Sequence, residues 1–484
     1  MMTIVAALLS GLLWLGGCGL HPVAALTWLA PIPLILASVR VRRRTALGAT
    51  ILAWSIGQLD MVRYYHGTLG LPVPAVAAVL GLGLGLAAGT VVLARALLLR
   101  GRTVRAVLTV PALWVLGEYA ASHLFPQGAW WSLAYTQADV RPVIQMTALT
   151  GVWGVTYLLL AVPIAVAAVL GSALPTGTGR LDRTALACLL ALLLGAGGWS
   201  AWSLGRSADP AEPLTVGLLA LRQSTDGLPI DEPSGRDLLA RYAARVADLT
   251  ARGARIVVLP EKVFAVTDTT LPLLVDALRQ AGAQIVVGTV LWRAGTASNV
   301  ALVLDPDGGV TTYQKQHLVP GLEEWLTPGD DDVIVNGRFG VAICKDLDYP
   351  GLVRRYRAEG ASVLLVPALD FTSDGWLHGR IAMVRGVENG ITVVRAAELG
   401  RLTVSDGGGR LLGDVSAGDA ELLVTAAPTT GWGTVYSRTG DWFPLLSLVL
   451  LVVAVEGSAS GSRRTADRKR SMVVTAQSHQ ARNR

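Results

Sequence analysis

Three residues of the kinds that acyl chemistry uses stand at the ends of strand-like segments. Glu261 follows Arg255-Ile256-Val257-Val258-Leu259-Pro260, Lys315 follows Thr311-Thr312-Tyr313-Gln314, and Cys344 follows Phe339-Gly340-Val341-Ala342-Ile343. A cysteine sulfur attacks a carbonyl once a base takes its proton and a cation favours the thiolate. Glu261 is the candidate base, and Lys315 the candidate cation for the oxyanion that forms on the substrate. Taken singly, such a cysteine packs a core, and such a glutamate or lysine is a solvated turn. Their order and shared setting point to chemistry, because the end of a buried strand is a rigid mount.

The elements that must hold them lie in residues 205–440, where short apolar runs alternate with amphipathic stretches. Strands are predicted at 215–221, 255–259, 284–290, 300–304, 310–313, 341–344, 362–367 and 391–395. Helices are predicted at 235–252, 271–281, 351–359 and 378–389, and Asp305-Pro306-Asp307-Gly308-Gly309 forms a turn. Strands and helices of this length, interleaved, make an α/β or α+β sandwich.

The rest of the chain is a different material. Of 484 residues, 52% are hydrophobic and only 16% charged, and the mean hydropathy is +0.49. A spanning helix needs roughly 20 mostly apolar residues, and residues 1–204 supply spans at roughly 2–20, 23–39, 45–60, 72–98, 104–123, 145–170 and 184–204. A last span covers 441–456, and the basic tail 457–484 has the composition of a disordered cytoplasmic segment. Basic clusters at Arg40–Arg44, Arg95–Arg105, Arg180–Arg183 and Arg463–Arg470 fall on one side of the membrane if the N-terminus is cytoplasmic. The 205–440 block then faces outward. Leu15-Gly16-Gly17-Cys18 has the look of a lipoprotein cleavage box, but no Lys or Arg precedes Arg40, so the first span is expected to be retained. The net charge of +6 sits mostly in these flanking runs and suggests no nucleic-acid partner. The three cysteines cannot build a disulfide framework, and the six histidines show no metal-ligand spacing.

Glu261, Lys315 within Tyr313-Gln314-Lys315-Gln316-His317-Leu318-Val319-Pro320, and Cys344 within Gly340-Val341-Ala342-Ile343-Cys344 resemble the nitrilase superfamily. That resemblance implies an αββα sandwich, cysteine-based acyl chemistry without a cofactor, and a second glutamate after the lysine, for which Glu323 is well placed. Leu113-Trp114, Glu118-Tyr119, Phe125-Pro126, Ala134-Tyr135-Thr136-Gln137-Ala138, Gly151-Val152-Trp153-Gly154 and Gly440-Asp441-Trp442 look like its membrane branch, the apolipoprotein N-acyltransferases. By that resemblance a membrane phospholipid donates an acyl group to Cys344, and the N-terminal amine of a diacylglyceryl-modified lipoprotein accepts it. Glu388, on the helix-forming stretch that carries Met383-Val384-Arg385-Gly386-Val387-Glu388, and Trp376, in the loop before it, are expected to touch substrate.

The sequence departs from that pattern at several places. Lys345 and Asp346 replace an aromatic and a glutamate, Lys262 replaces a small polar residue, and Glu398 an asparagine. Leu221-Arg222-Gln223-Ser224 lacks the Gly-Asn signature and the tryptophan beyond it, and the loop at 376–378 is short. Lys345 either activates Cys344 by its charge or pairs with Asp346. These departures keep two rivals open: a membrane-tethered amidase that passes the acyl group to water, and a catalytically silent lipid- or lipoprotein-binding scaffold. The sequence sets no oligomeric state.

Overall fold

The computed structural model describes residues 1–173, 182–206, 213–223 and 227–453. The expected tail 457–484, with Arg463–Arg470, lies outside the described residues, as do Arg180 and Ser224.

The N-terminal half is helical. Among the described residues, Val73–Leu98, Thr103–Leu124, Val152–Gly171 and Arg183–Leu204 are long and apolar enough to cross a membrane. Met2–Gly17, Ala24–Ser38 and Trp442–Val453 are apolar but shorter. The second expected span breaks at Ala30, ahead of Pro31, whose ring and missing N–H end a helix ladder. The span expected from residue 145 starts only at Val152, because the separate turns Arg141–Ile144 and Thr147–Thr150 precede Gly151 with φ +66. A buried carboxylate in such a setting needs partners. Glu118 accepts from Trp114 Nε1 (3.0 Å), Ser132 Oγ (2.9 Å), Thr156 Oγ1 (2.9 Å) and the Leu133 amide (3.0 Å).

The C-terminal half is a four-layer sandwich. Its strands are β1 Leu214–Ala220, β2 Leu228–Pro229, β3 Ile256–Val258, β4 Phe264–Thr267, β5 Gln284–Arg293, β6 Thr296–Leu304 and β7 Val310–Gln314, then β8 Val333–Val335, β9 Phe339–Val341, β10 Val363–Leu369, β11 Thr392–Glu398, β12 Arg401–Ser405, β13 Leu411–Ser416 and β14 Ala420–Ala427. One sheet runs β14-β1-β3-β5-β4-β2, with β6 and β7 added beside β5; the other runs β13-β12-β11-β10-β9-β8. The central pairs are parallel and buried on both faces, so they read as unbroken apolar runs rather than alternating ones.

Val216, Leu218, Val258, Val286, Val303, Val341, Leu365 and Val394 form the core between the sheets. Helix Pro233–Ala251 covers the first sheet with Leu238, Tyr242, Val246 and Leu249, the spacing of one helical face. Helices Pro350–Ala358 and Gly375–Asn389 cover the second.

Helix Gly375–Asn389 also faces the membrane half. Its Leu377, Ile381, Met383, Val384 and Val387 share a core with Val110, Ala148 and Trp153. At its end Arg385 pairs with Glu388 and with the Tyr135 hydroxyl, and Glu388 Oε1 accepts the Val152 amide at 2.9 Å. Trp153 Nε1 donates to Asp441 at 2.7 Å. Tyr135, Trp153, Arg385, Glu388 and Asp441 therefore belong to a joint between the halves.

Candidate active site

The chain between β3 and β4 never leaves β5. The Leu259 amide donates to Val286, the Gly288 amide to Pro260, and the Val263 amide to Gly288, while Pro260-Glu261-Lys262 bulges out with Lys262 at φ +51. Glu261 is thus mounted on a bulge inside a parallel pair, a usual device for aiming a side chain. Its amide reaches across to the Ala368 carbonyl of the second sheet at 3.2 Å. Gly288 makes the bulge possible, since a Cβ there would land on the Glu261 Cα and the Pro260 carbonyl oxygen. Gly288→Ala is therefore expected to shift Glu261 and slow turnover by about tenfold to a hundredfold, the usual penalty for ångström-scale misplacement. Steady-state kinetics beside circular dichroism checks this, and an unchanged rate would show that the bulge tolerates displacement.

Lys315 follows β7 and is held by its backbone, donating to Asn299 (2.9 Å) and accepting from Gly329 (2.9 Å). Its Nζ lies 2.7 Å from Glu261 Oε1 and 2.7 Å from Glu323 Oε2. Burial alone would lower its pKa, but the two carboxylates overcome that and hold the ammonium above its ordinary range. An ammonium has three N–H donors, so one remains after both carboxylates are served.

The two glutamates differ in what they can still accept. Glu323 takes Lys262 Nζ and Asn299 Nδ2 on Oε1 (both 3.0 Å) and Lys315 Nζ and the Val319 amide on Oε2 (2.7 and 2.9 Å). Burial would raise its pKa; Lys315 and Lys262 instead bring it down to about 2. Glu323 stays ionised and saturated, a clamp on Lys315. On Glu261, both side-chain bonds land on Oε1, from Asn299 Nδ2 (2.6 Å) and Lys315 Nζ (2.7 Å). Oε2 has no partner among the described residues and is the oxygen left to take a proton.

Cys344 begins the tight turn Cys344–Asp348 with φ +42. A side chain in that left-handed region costs about 1–3 kcal/mol and persists only where its surroundings impose it. Here Asp346 imposes it, its carboxylate accepting from Ile343 N (2.9 Å), His317 N (2.9 Å) and the Tyr313 hydroxyl (2.7 Å). The thiol donates to the Leu369 carbonyl at 3.4 Å. Burial and then Glu261 push its pKa well above the ordinary thiol, with Lys315 and Arg395 opposing. A thiol held this way gives up its proton to a base as the attack occurs.

Glu261, Lys315, Glu323 and Cys344 all line one cavity of about 810 Å³. Its other wall is apolar and comes from the membrane half, with Leu71, Val79, Leu82, Phe125, Trp130 and Trp131. Lys345 does not pair with Asp346. Its Nζ lies 3.1 Å from Gln127 Oε1 and 3.4 Å from Asp348 Oδ2. Trp376 and Glu388 are not among the lining residues. Trp376 donates to Asp139 at 3.2 Å and lies under Arg380, and Glu388 is consumed in the joint described above.

Residues that sequence reasoning missed include Asn299, fully buried in β6 and bonded to both glutamates; an asparagine inside an apolar strand was the available signal. Asp370, Asp374 and His378 were missed as well, although they bring ligand atoms within 4.8 Å of one another. Where the sequence showed no metal-ligand spacing, the structure brings these three together, with both carboxylates already partnered. Asp370 is held by Arg395 at 2.9 and 2.5 Å, and Asp374 by Tyr64 at 2.6 Å and the Phe371 amide at 2.9 Å.

Residues 218–434 match the carbon-nitrogen hydrolase domain, and residues 10–165 match the apolipoprotein N-acyltransferase N-terminal domain. With the αββα sandwich, these make the chain an apolipoprotein N-acyltransferase-like membrane protein with a nitrilase-like, or carbon–nitrogen hydrolase, domain. A Gloeobacter violaceus apolipoprotein N-acyltransferase is 26% identical, covering 91% of this chain and 91% of that protein. A Geobacter metallireducens protein of the same name is 25% identical over 90% and 91%. An (R)-stereoselective amidase of Pseudomonas sp is 31% identical over 135 residues, 27% of this chain and 49% of that protein. A solved amidase from Nesterenkonia sp. AN1, carrying the acetamide moiety of fluoroacetamide on its active-site cysteine, aligns at 22% identity with a TM-score of 0.39 over 49% of this chain and 97% of its own.

Proposed function

We propose that this enzyme moves a fatty acyl group from a membrane phospholipid, through a thioester on Cys344, to the N-terminal amine of a diacylglyceryl-modified lipoprotein. It would do so at the outer face of the cell membrane. The cavity carries this reading: its polar floor holds Cys344, Glu261 and Lys315, and its apolar wall includes Val79 and Leu82 of a helix long enough to span a bilayer. An acyl chain can enter such a cavity from hydrocarbon, which a water-soluble amide has no need to do. The basic residues Arg40–Arg44 and Arg95–Arg105 support a cytoplasmic N-terminus and an outward sandwich.

In the first half-reaction the Cys344 sulfur adds to the ester carbonyl as its proton passes to Glu261 Oε2. The third N–H of Lys315, with a backbone N–H at the turn, holds the oxygen anion. The carbon–oxygen bond to glycerol breaks, Glu261 returns the proton to that oxygen, and a lysophospholipid leaves. In the second, an uncharged amine adds to the thioester carbonyl and gives its proton to Glu261. The carbon–sulfur bond then breaks, and the sulfur regains that proton. Confining lipid donor and lipid-anchored acceptor to one surface makes the second step effectively intramolecular, and an apolar cavity keeps water from the thioester.

Product analysis tests this against the hydrolase alternative. With phospholipid and a diacylglyceryl-cysteinyl peptide, the N-acyl peptide is expected to be the main product, and free fatty acid a minor one. Free fatty acid in equal amount with and without the peptide would assign the site to hydrolysis.

A further inference from the structure

Resting on that reading, we propose that Lys345 is a specificity-determining residue that binds the phosphodiester of the acyl donor beside the nucleophile. Its neighbours in the cavity make it stand out. Lys315 is neutralised by carboxylate oxygens at 2.7 Å and Lys262 by one at 3.0 Å. Lys345 is buried and lines the same cavity, yet its contacts are a neutral amide, Gln127 Oε1 at 3.1 Å, and one long carboxylate contact, Asp348 Oδ2 at 3.4 Å. A buried ammonium so weakly compensated is costly, and a strong anionic acceptor arriving in the cavity would complete it.

The position suits that acceptor. Lys345 is the residue after Cys344, on the turn that the cysteine begins. A phosphodiester lies only a few bonds from the ester carbonyl on the same glycerol, so carbonyl at sulfur and phosphate at ammonium are compatible.

The ammonium is also held at the seam between the two halves. The loop after helix Thr103–Leu124 closes on the same turn, with the Ala129 amide donating to the Asp348 carbonyl at 2.7 Å. Gly128, at φ +57, has no room for a Cβ against that carbonyl. The loop therefore keeps Gln127 over the ammonium, facing the part of the cavity walled by Phe125 and Trp130. This gives the departure from the family's aromatic residue a role distinct from activating the thiol.

The test compares two donors that differ in the phosphate. The purified full chain in detergent micelles is given dioleoyl phosphatidylglycerol or dioleoylglycerol, and intact-protein mass reads the acyl adduct formed at early times. Loss of a charge-assisted bond is worth about tenfold or more. Lys345→Met is therefore expected to lower the ratio of phosphatidylglycerol to dioleoylglycerol adduct by about that factor, and Lys345→Arg to restore much of it. An unchanged ratio, including an equal loss with both donors, would overturn the proposal and leave Lys345 a packing residue of the turn. Wild-type protein that forms no adduct from either donor would instead overturn the acyl-transfer reading beneath it.

Discussion

Replacing Cys344 with alanine is expected to abolish turnover together with every covalent acyl species, and Cys344→Ser to leave at most a trace. The proton matters here as much as the sulfur. Burial and Glu261 keep the thiol protonated at rest, so nucleophile and base must act together. The base is a carboxylate, Glu261, with Oε1 already engaged by Lys315 and Asn299. A thiol surrenders its proton to such a base during attack far more readily than a serine hydroxyl does. Because Asp346 pins the backbone beside residue 344 independently of its side chain, both variants should fold and insert normally. Single-turnover acylation, followed beside the thermal unfolding midpoint, separates lost chemistry from lost structure. A serine variant within a few-fold of wild type would mean that deprotonation is easier than this geometry allows.

Lys315→Met should lower the acylation rate by roughly 10²-fold or more, the scale for removing an oxyanion donor in an enclosed site. It should also destabilise the protein, because two buried carboxylates lose the cation between them, and breaking such a group typically costs about 3–5 kcal/mol. The two consequences can be parted. Adding Glu323→Gln removes one of the stranded charges, so the double variant should recover part of the stability and none of the rate. Recovery of both would make Lys315 a structural counter-ion rather than the group that holds the oxyanion. The two glutamates should also differ in kind. Glu261→Gln removes the oxygen that receives the proton and should cost orders of magnitude, whereas Glu323→Gln acts only through Lys315.

Much of the arrangement was legible because strand ends are legible. Glu261 and Cys344 each terminate an apolar run, and apolar runs in a doubly covered sheet mark buried strands whose ends meet; Lys315 closes the second arm of the hairpin that the turn at 305–309 announces. The bulge at Pro260-Glu261-Lys262 was not legible, since β3 and β4 look like separate segments until both are seen along β5. Strands β13 and β14 were missed for another reason. Their residues are mostly half-buried, so they lack both the unbroken apolar run of a central strand and a clean alternation.

Glu388 was misplaced because a charged residue on a helix near a site reads the same whether it meets substrate or a neighbouring domain. Only the Val152 amide and Arg385 decide it. For Lys345 the sequence left two partners open, Cys344 and Asp346, after a strand expected to end at Cys344. The turn at Cys344–Asp348 instead brings Asp348, three residues on, to its ammonium, while Asp346 turns back to pin the backbone.

The acyl group is expected to pass through a covalent bond to Cys344. Intact-protein mass spectrometry of the purified chain, incubated with phospholipid and no amine acceptor, tests this most directly. The expected result is a mass increase of one acyl group, mapped to the Cys344 peptide, discharged by a diacylglyceryl-cysteinyl peptide and absent in Cys344→Ala. Turnover to an N-acylated product with no adduct, even on rapid quenching, or an adduct that persists in Cys344→Ala, would contradict it.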